Sequence, residues 1–197
     1  LAELGFVHQI PNRGVFVKRL GRSDAMEVYD LRAGLVGLAG LLLAPAVTER
    51  QLKELRGLLA RMEGAAEAGD FTAFYPLNLE FHGTIVEATG NGRLVRMHQG
   101  LVKEFRLFRL HGLVQRRALV ASNRDHRAIV AALEARDGPA CYEASFRHVM
   151  NGKSRLLTAL DTMMMEDGPG AGAELREKGT ARGRRKPGPS PAEERPA

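Results

Sequence analysis

Between Asp70 and Leu94 the sequence reads DFTAFYPLNLEFHGTIVEATGNGRL, and this stretch limits the fold more than any other. Phe74, Leu77, Phe81, Ile85 and Ala88 recur at three- and four-residue steps, the repeat of one helix face. Asn78 and His82 lie four apart beside that stripe, so their side chains stack one turn above the other. Gly90 supplies the residue that tolerates a left-handed backbone at a helix end, and Asn91 can cap a following helix. A polar pair at i and i+4 on the edge of an apolar face is half of a metal site.

The flanking sequence repeats the helical pattern. Ser23 and Asp24 can open a helix that runs to about Leu43, before Pro45, with apolar positions at Val28, Leu31, Leu35, Leu38, Ala39 and Leu42. Thr48 followed three residues later by Gln51 is a capping box, and Leu52, Leu55, Leu58, Leu59 and Met62 give the next helix its face. After Asn91 come Leu94, Met97, Leu101, Phe105 and Phe108. Ser122 with Asp125 reads as another capping box, opening a helix with His126, Ile129, Val130 and Leu133 that breaks at Gly138-Pro139. A last helix is expected from about Ala140 to Met165. Six amphipathic helices on short joints predict an all-α fold, an antiparallel six-helix bundle spanning residues 21–165.

Both ends read differently. Residues 1–4 resemble the last turn of a helix closed by Gly5, and Phe6–Ile10 and Val15–Val17 flank the turn Pro11-Asn12-Arg13-Gly14 as a β-hairpin. A two-stranded hairpin is marginal alone in water, so residues 1–20 read as the remnant of a domain that begins upstream. From Glu166 to the end, Gly and Pro crowd in and aliphatics vanish, which predicts a disordered tail over 166–197 with a basic cluster from Arg182 to Lys186.

The net charge of +6 favours an anionic partner only weakly, because it is unevenly spread: residues 1–22 carry Arg13, Lys18, Arg19 and Arg22 against Glu3 alone, while the tail nearly balances itself. The single cysteine, Cys141, allows no internal disulfide and fits a reducing, cytoplasmic compartment. The longest uncharged run, Ala33–Thr48, is shorter than the roughly 20 residues that span a bilayer, so a buried core helix is expected and no membrane partner.

His126 and His148 could complete the metal site begun by Asn78 and His82. His126 starts the apolar stripe of its helix, and His148 shares a line with the small residues Cys141, Ala144, Ser145 and Gly152, a face that leaves a hollow. Taken singly, each histidine is better read as a hydrogen-bonded core imidazole, and His8, His98 and His111 stay in that class. A mostly imidazole shell with one amide oxygen suits a divalent ion, zinc foremost, with nickel, iron or manganese as alternatives. No histidine has a Glu three residues before it, as a di-iron bundle needs, and HExxH, P-loop and GxGxxG patterns are absent.

The segments GFV…PNRGVFV (5–17), YDLRAGL (29–35), NLEFH…ATGNGRL (78–94) and SNRDHxxIxxAL (122–133), followed by a final helix with His148, resemble the GntR family of bacterial transcription regulators, in the subfamily with the FCD effector domain. The resemblance covers about residues 1–160. It implies that a winged helix-turn-helix precedes the bundle, with residues 1–4 ending its recognition helix and the hairpin forming its wing. It implies metal ligands at Asn78, His82, His126 and His148, the last two 22 residues apart as in the family, with Asn in place of the commoner Asp at 78. Where the family usually has a Glu one turn after the arginine of the first bundle helix, this chain has Val36 after Arg32, which puts any polar network around that arginine in question.

The function so implied is a ligand-responsive, DNA-binding transcription regulator and not an enzyme. Its metal-containing bundle would sense a small carboxylate clamped by Arg32, and Asn12, Arg13 and Gly14 of the wing would approach operator DNA. A homodimer is expected, because such regulators read two half-sites. A metal-dependent enzyme and a metal-sensing repressor are the rival readings. The first lacks a carboxylate placed by motif as a general base, and the second differs only in which ligand is the signal.

Overall fold

The computed structural model describes residues 7–10, 14–17, 22–105 and 116–166. Two compact units divide the chain, Leu1–Ala159 and Leu160–Ala197. The first holds the candidate site; of the second, the final turns of a long helix are described.

Strands β1 (Val7–Ile10) and β2 (Gly14–Val17) pair antiparallel, Val7 opposite Val17 and Ile10 opposite Gly14. The expected hairpin is therefore present, but nothing in its pairing identifies it as a wing. The expected end of a recognition helix at residues 1–4, the turn residues Asn12 and Arg13, and the tail from residue 167 lie outside the described residues.

Among the described residues six α-helices follow: α1 (Arg22–Leu43), α2 (Glu49–Ala68), α3 (Phe71–Ala88), α4 (Gly92–Phe105), α5 (Arg116–Glu134) and α6 (Gly138–Glu166). Their boundaries follow local chemistry. Leu43 hands α1 to a 3-10 turn, Ala44–Ala46, that accepts Pro45 where no helical N–H is needed. Thr48 N–H donates to Gln51 Oε1 at 2.8 Å and Gln51 N–H to Thr48 Oγ1 at 3.3 Å, the reciprocal cap of α2. Gly69, at φ 70°, ends α2, and Asp70 Oδ1 accepts from Ala73 N–H at 2.9 Å to start α3. Gly90 also takes a positive φ, 67°, after which Asn91 Oδ1 caps α4 through Leu94 N–H at 3.1 Å. Asp137 Oδ1 accepts from Ala140 N–H at 2.9 Å at the head of α6.

The core stacks Leu52, Leu55, Leu58 and Met62 of α2 against Phe74, Phe81 and Ile85 of α3 and Ile129 and Leu133 of α5. Burying each such side chain contributes about 1.5–3 kcal/mol. Helix α1 packs on α3, α4 and α5. It also approaches α6 closely: a methyl group added at Gly40 would lie 2.8 Å from Cys141 Sγ and 3.0 Å from the Cys141 carbonyl oxygen. The small residues of α6 thus serve partly as a helix-packing seam, and the hollow expected along that line opens only further on, where Gly152 lines a cavity.

Three expectations are corrected. Ser122 and Asp125 do not cap a helix, because α5 already begins at Arg116, whose Nε–H donates to the Glu67 carbonyl at the end of α2 at 2.6 Å. Met97 is 61% exposed, because α4 turns Leu94, His98 and Phe105 inward, and a residue one position before His98 points about 100° away. Leu31, Leu38 and Leu42 are exposed, since the inner face of α1 is Val28, Tyr29, Arg32, Ala33, Val36, Ala39 and Leu43. Helix α1 with its following turn is long and apolar enough to cross a membrane by length and composition, yet more than half of its most apolar stretch is buried in the bundle.

Candidate functional site

The α3 stripe that buries Phe81 and Ile85 also carries His82 fully inward. His126 from α5 and His148 from α6 reach the same point. His82 Nε2 lies 3.0 Å from His148 Nε2 and 3.3 Å from His126 Nε2, and the three ligating atoms fall within 4.8 Å of one another. The edge of the Phe81 ring meets His82 and backs the cluster from the core side.

Burial first, then the Arg32 charge and the neighbouring imidazoles, holds the His82 pKa well below 6.5. Burial followed by the field of His148 and Arg32 does the same for His126. Burial also lowers His148, while Asp125 pulls it back up. All three imidazoles are therefore neutral at pH 7, the state that coordinates metal.

The donor set fits a divalent ion. Two imidazole nitrogens on a tetrahedral ion at about 2.0–2.1 Å stand about 3.3 Å apart, close to the observed spacings. Without an ion the three rings cannot satisfy one another. His82 Nδ1 and His126 Nδ1 are sealed from water with no partner, so either tautomer leaves a buried N–H or lone pair unmatched. With Nδ1 protonated, every Nε2 lone pair is free to face one ion.

Asp125, unclaimed by any cap, stands behind His148. Its Oδ2 is 3.5 Å from His148 Nδ1, a long ion-pair contact short of a formed hydrogen bond, and accepts from Asn151 Nδ2 at 3.2 Å and Arg155 Nη1 at 3.5 Å. A carboxylate on the far nitrogen of a ligating imidazole fixes its tautomer and orientation.

His148 also borders a cavity of about 120 Å³. Asn78, one turn before His82, lines it together with Arg32, Tyr29, Ser122 and Arg155. Asn78 is half-buried and shares the cavity wall with His148. Arg32 is 5% exposed, its guanidinium 5.5 Å from the centre of the Phe105 ring, and its Nε and Nη2 are sealed with no hydrogen-bond partner. Burial lowers its pKa. Val36, one turn on, is fully buried and apolar, so it offers the arginine no carboxylate.

Of the eight residues singled out in the sequence, the structure brings His82, His126 and His148 together, and sets Asn78 and Arg32 in the wall of the adjoining cavity. Gly14 opens β2, and Asn12 and Arg13 lie outside the described residues. Sequence reasoning missed Asp125, Arg155 and Tyr29. Asp125 directly precedes His126, and Arg155 follows His148 by two helical turns on the same face, a spacing that could have flagged it. His98 is buried as expected of a core imidazole, but its Nε2 has no partner, and burial with the Arg32 charge lowers its pKa to about 4.

The fold is thus a helical bundle in which three buried histidines could hold a metal ion beside an arginine-lined cavity. The FCD domain matches residues 27–151, and the chain belongs to that family. It is 32% identical over 149 residues to a protein of Paenarthrobacter nicotinovorans named as a probable D-xylose utilization operon transcriptional repressor, covering 76% of this chain and 65% of that one. The fold is similar to that of E. coli McbR/YncC (TM-score 0.71, 22% identity, 80% of this chain and 79% of that one). It is also similar to that of a GntR-family transcriptional regulator of Pseudomonas syringae (TM-score 0.56, 25% identity, 82% and 67%). The named relatives are regulators of transcription and not enzymes, as the sequence led us to expect.

Proposed function

We propose that this chain is the sensing part of a ligand-responsive transcription regulator. In this reading His82, His126 and His148, with Asn78 as an oxygen ligand, hold a divalent ion, zinc foremost, and a small organic acid binds beside it against Arg32. The observation that carries the reading is the convergence of three neutral, buried imidazoles on one point at the edge of a cavity lined by an unpaired arginine.

The charge balance supports an acid as the ligand. Arg32 and Arg155 line the cavity, no Asp or Glu does among the described residues, and Asp125 is already engaged by Arg155 and Asn151. A bound ion would add two further positive charges, which an anion would compensate. If bound, an ion held by the histidines would supply positive charge for one end of that anion, while Arg32 would offer a planar fork to a carboxylate. Binding that draws α1, α3, α5 and α6 together would bias the bundle between arrangements.

Dimerisation and DNA binding belong to the same proposal. Leu31, Leu38, Leu41 and Leu42 form an exposed apolar stripe on α1, suited to a second copy of the chain in a homodimer. The hairpin, through Asn12, Arg13 and Gly14, would contact operator DNA in the whole, cytoplasmic protein.

A thermal titration tests the central part. Zinc added to chelator-stripped protein at 100 times its dissociation constant should stabilise by about 2.7 kcal/mol, a rise of about 5–10 °C in Tm. His126→Ala should abolish the rise. No rise in the unmodified chain with zinc, nickel or manganese would overturn the reading.

A further inference from the structure

The cavity beside the histidine cluster is lined by a few polar groups set among apolar ones. Arg32, Arg155, Asn78 and Ser122 supply the polar groups next to His148. The remaining wall is made by Phe74, Phe105, Leu119, Val149 and Leu156, with Tyr29 and Tyr75 adding rings whose hydroxyls are the further polar groups there. Phe74, Phe105, Leu119, Val149 and Leu156 are each at least nine-tenths buried, so this wall is set by the core.

We propose that the acid bound here has one carboxylate head and an apolar, ring-sized body, the class of benzoate, and is neither a sugar acid nor a polycarboxylate. The proposal rests on the reading of the bundle as an acid sensor and narrows it. A polyhydroxylated acid would bury several hydroxyls against Phe, Leu and Val, and each hydroxyl left without a partner costs binding about tenfold or more. A flat apolar ring instead meets aromatic faces and edges, which pack favourably. The cavity of about 120 Å³ is close to the size that holds a single apolar ring. The name of the D-xylose operon relative therefore does not carry its sugar chemistry into this cavity.

Calorimetric titration of the zinc-loaded 197-residue chain tests this with five probes: benzoate, cyclohexanecarboxylate, D-gluconate, succinate and benzamide. Benzoate and cyclohexanecarboxylate should bind at least tenfold tighter than gluconate or succinate, and benzamide at least tenfold weaker than benzoate. Ala118→Glu puts a carboxylate on the apolar wall at a half-buried position and should weaken benzoate tenfold or more with Tm little changed. Should that variant not fold, Ala159→Glu makes the same test. Gluconate or succinate binding as tightly as benzoate overturns the proposal and leaves the acid-sensor reading standing. Benzamide matching benzoate, or no carboxylate binding at all, overturns both. Benzoate binding unaffected by either variant places it elsewhere and overturns the proposal.

Discussion

Replacing Arg32 by methionine should make the protein more stable and unresponsive to carboxylates. Arg32 is a guanidinium in a core position, with Nε and Nη2 sealed from water and unpartnered. Each buried donor without a partner costs about 1–3 kcal/mol, so the two together cost about 2–6 kcal/mol. The contact with the Phe105 ring returns about 0.5–2 kcal/mol. Methionine keeps the apolar stem and removes both orphaned donors, and exchanging buried charge for apolar volume is often stabilising. The net expectation is a gain of about 1–3 kcal/mol, or about 3–10 °C in Tm for a chain of this size. The assay is thermal unfolding by circular dichroism of the metal-stripped chain, paired with benzoate titration of the zinc-loaded chain. Arg32→Met should raise the first and abolish the second, while Arg32→Lys, a point charge without the planar fork, should weaken binding without that gain. A Tm lowered by several degrees in Arg32→Met would refute the reasoning, because it would mean that the arginine is a structural strut and not a group kept unpaired for a ligand.

Two further outcomes follow from the packing and the titrating groups. The metal-free chain should lose stability on mild acidification. The pKa values of His82, His126, His148 and His98 are depressed in the fold, so below the unfolded value of 6.5 the unfolded chain binds protons that the folded chain refuses. Each such histidine should steepen the loss by up to about 1.4 kcal/mol per pH unit below 6.5, and urea unfolding at pH 7.5, 6.5 and 5.5 would show it. A flat profile would mean that the imidazoles are not buried neutral. Gly40→Ala should destabilise by about 1–3 kcal/mol in the same unfolding assay, because its methyl group would press on backbone and Sγ of Cys141; an unchanged midpoint would show that α1 and α6 pack less tightly than described.

The bundle was legible where local chemistry acts alone. Thr48 with Gln51, Gly69 with Asp70, and Gly90 with Asn91 mark helix ends that need no tertiary partner to recognise, and each is found as read. Helical spacing put His82 and His126 each on the apolar face of its own helix, but the three histidines lie on three helices, and it was the resemblance to the GntR family that joined them into one set. What failed was the choice between two apolar faces of one helix. Helix α1 is apolar nearly all round, so Leu31, Leu38 and Leu42 look as internal as Val28 and Val36 until the neighbours are known. Ser122 and Asp125 mimic a cap, but Arg116 had already started the helix, and their side chains serve the cavity and His148 instead. Asp125 and Arg155 sit on different helices and meet only through tertiary packing, which no single-segment pattern reports.

Elemental analysis of the chain tests the metal centre most directly. The protein is saturated with zinc, desalted and measured beside His82→Ala and His148→Ala, with circular dichroism to confirm that each variant is helical. About one divalent ion per unmodified chain is expected and almost none in either variant, because two remaining imidazoles make an incomplete shell for a retained ion. An ion-free unmodified chain, or a folded variant that keeps its ion, would contradict it.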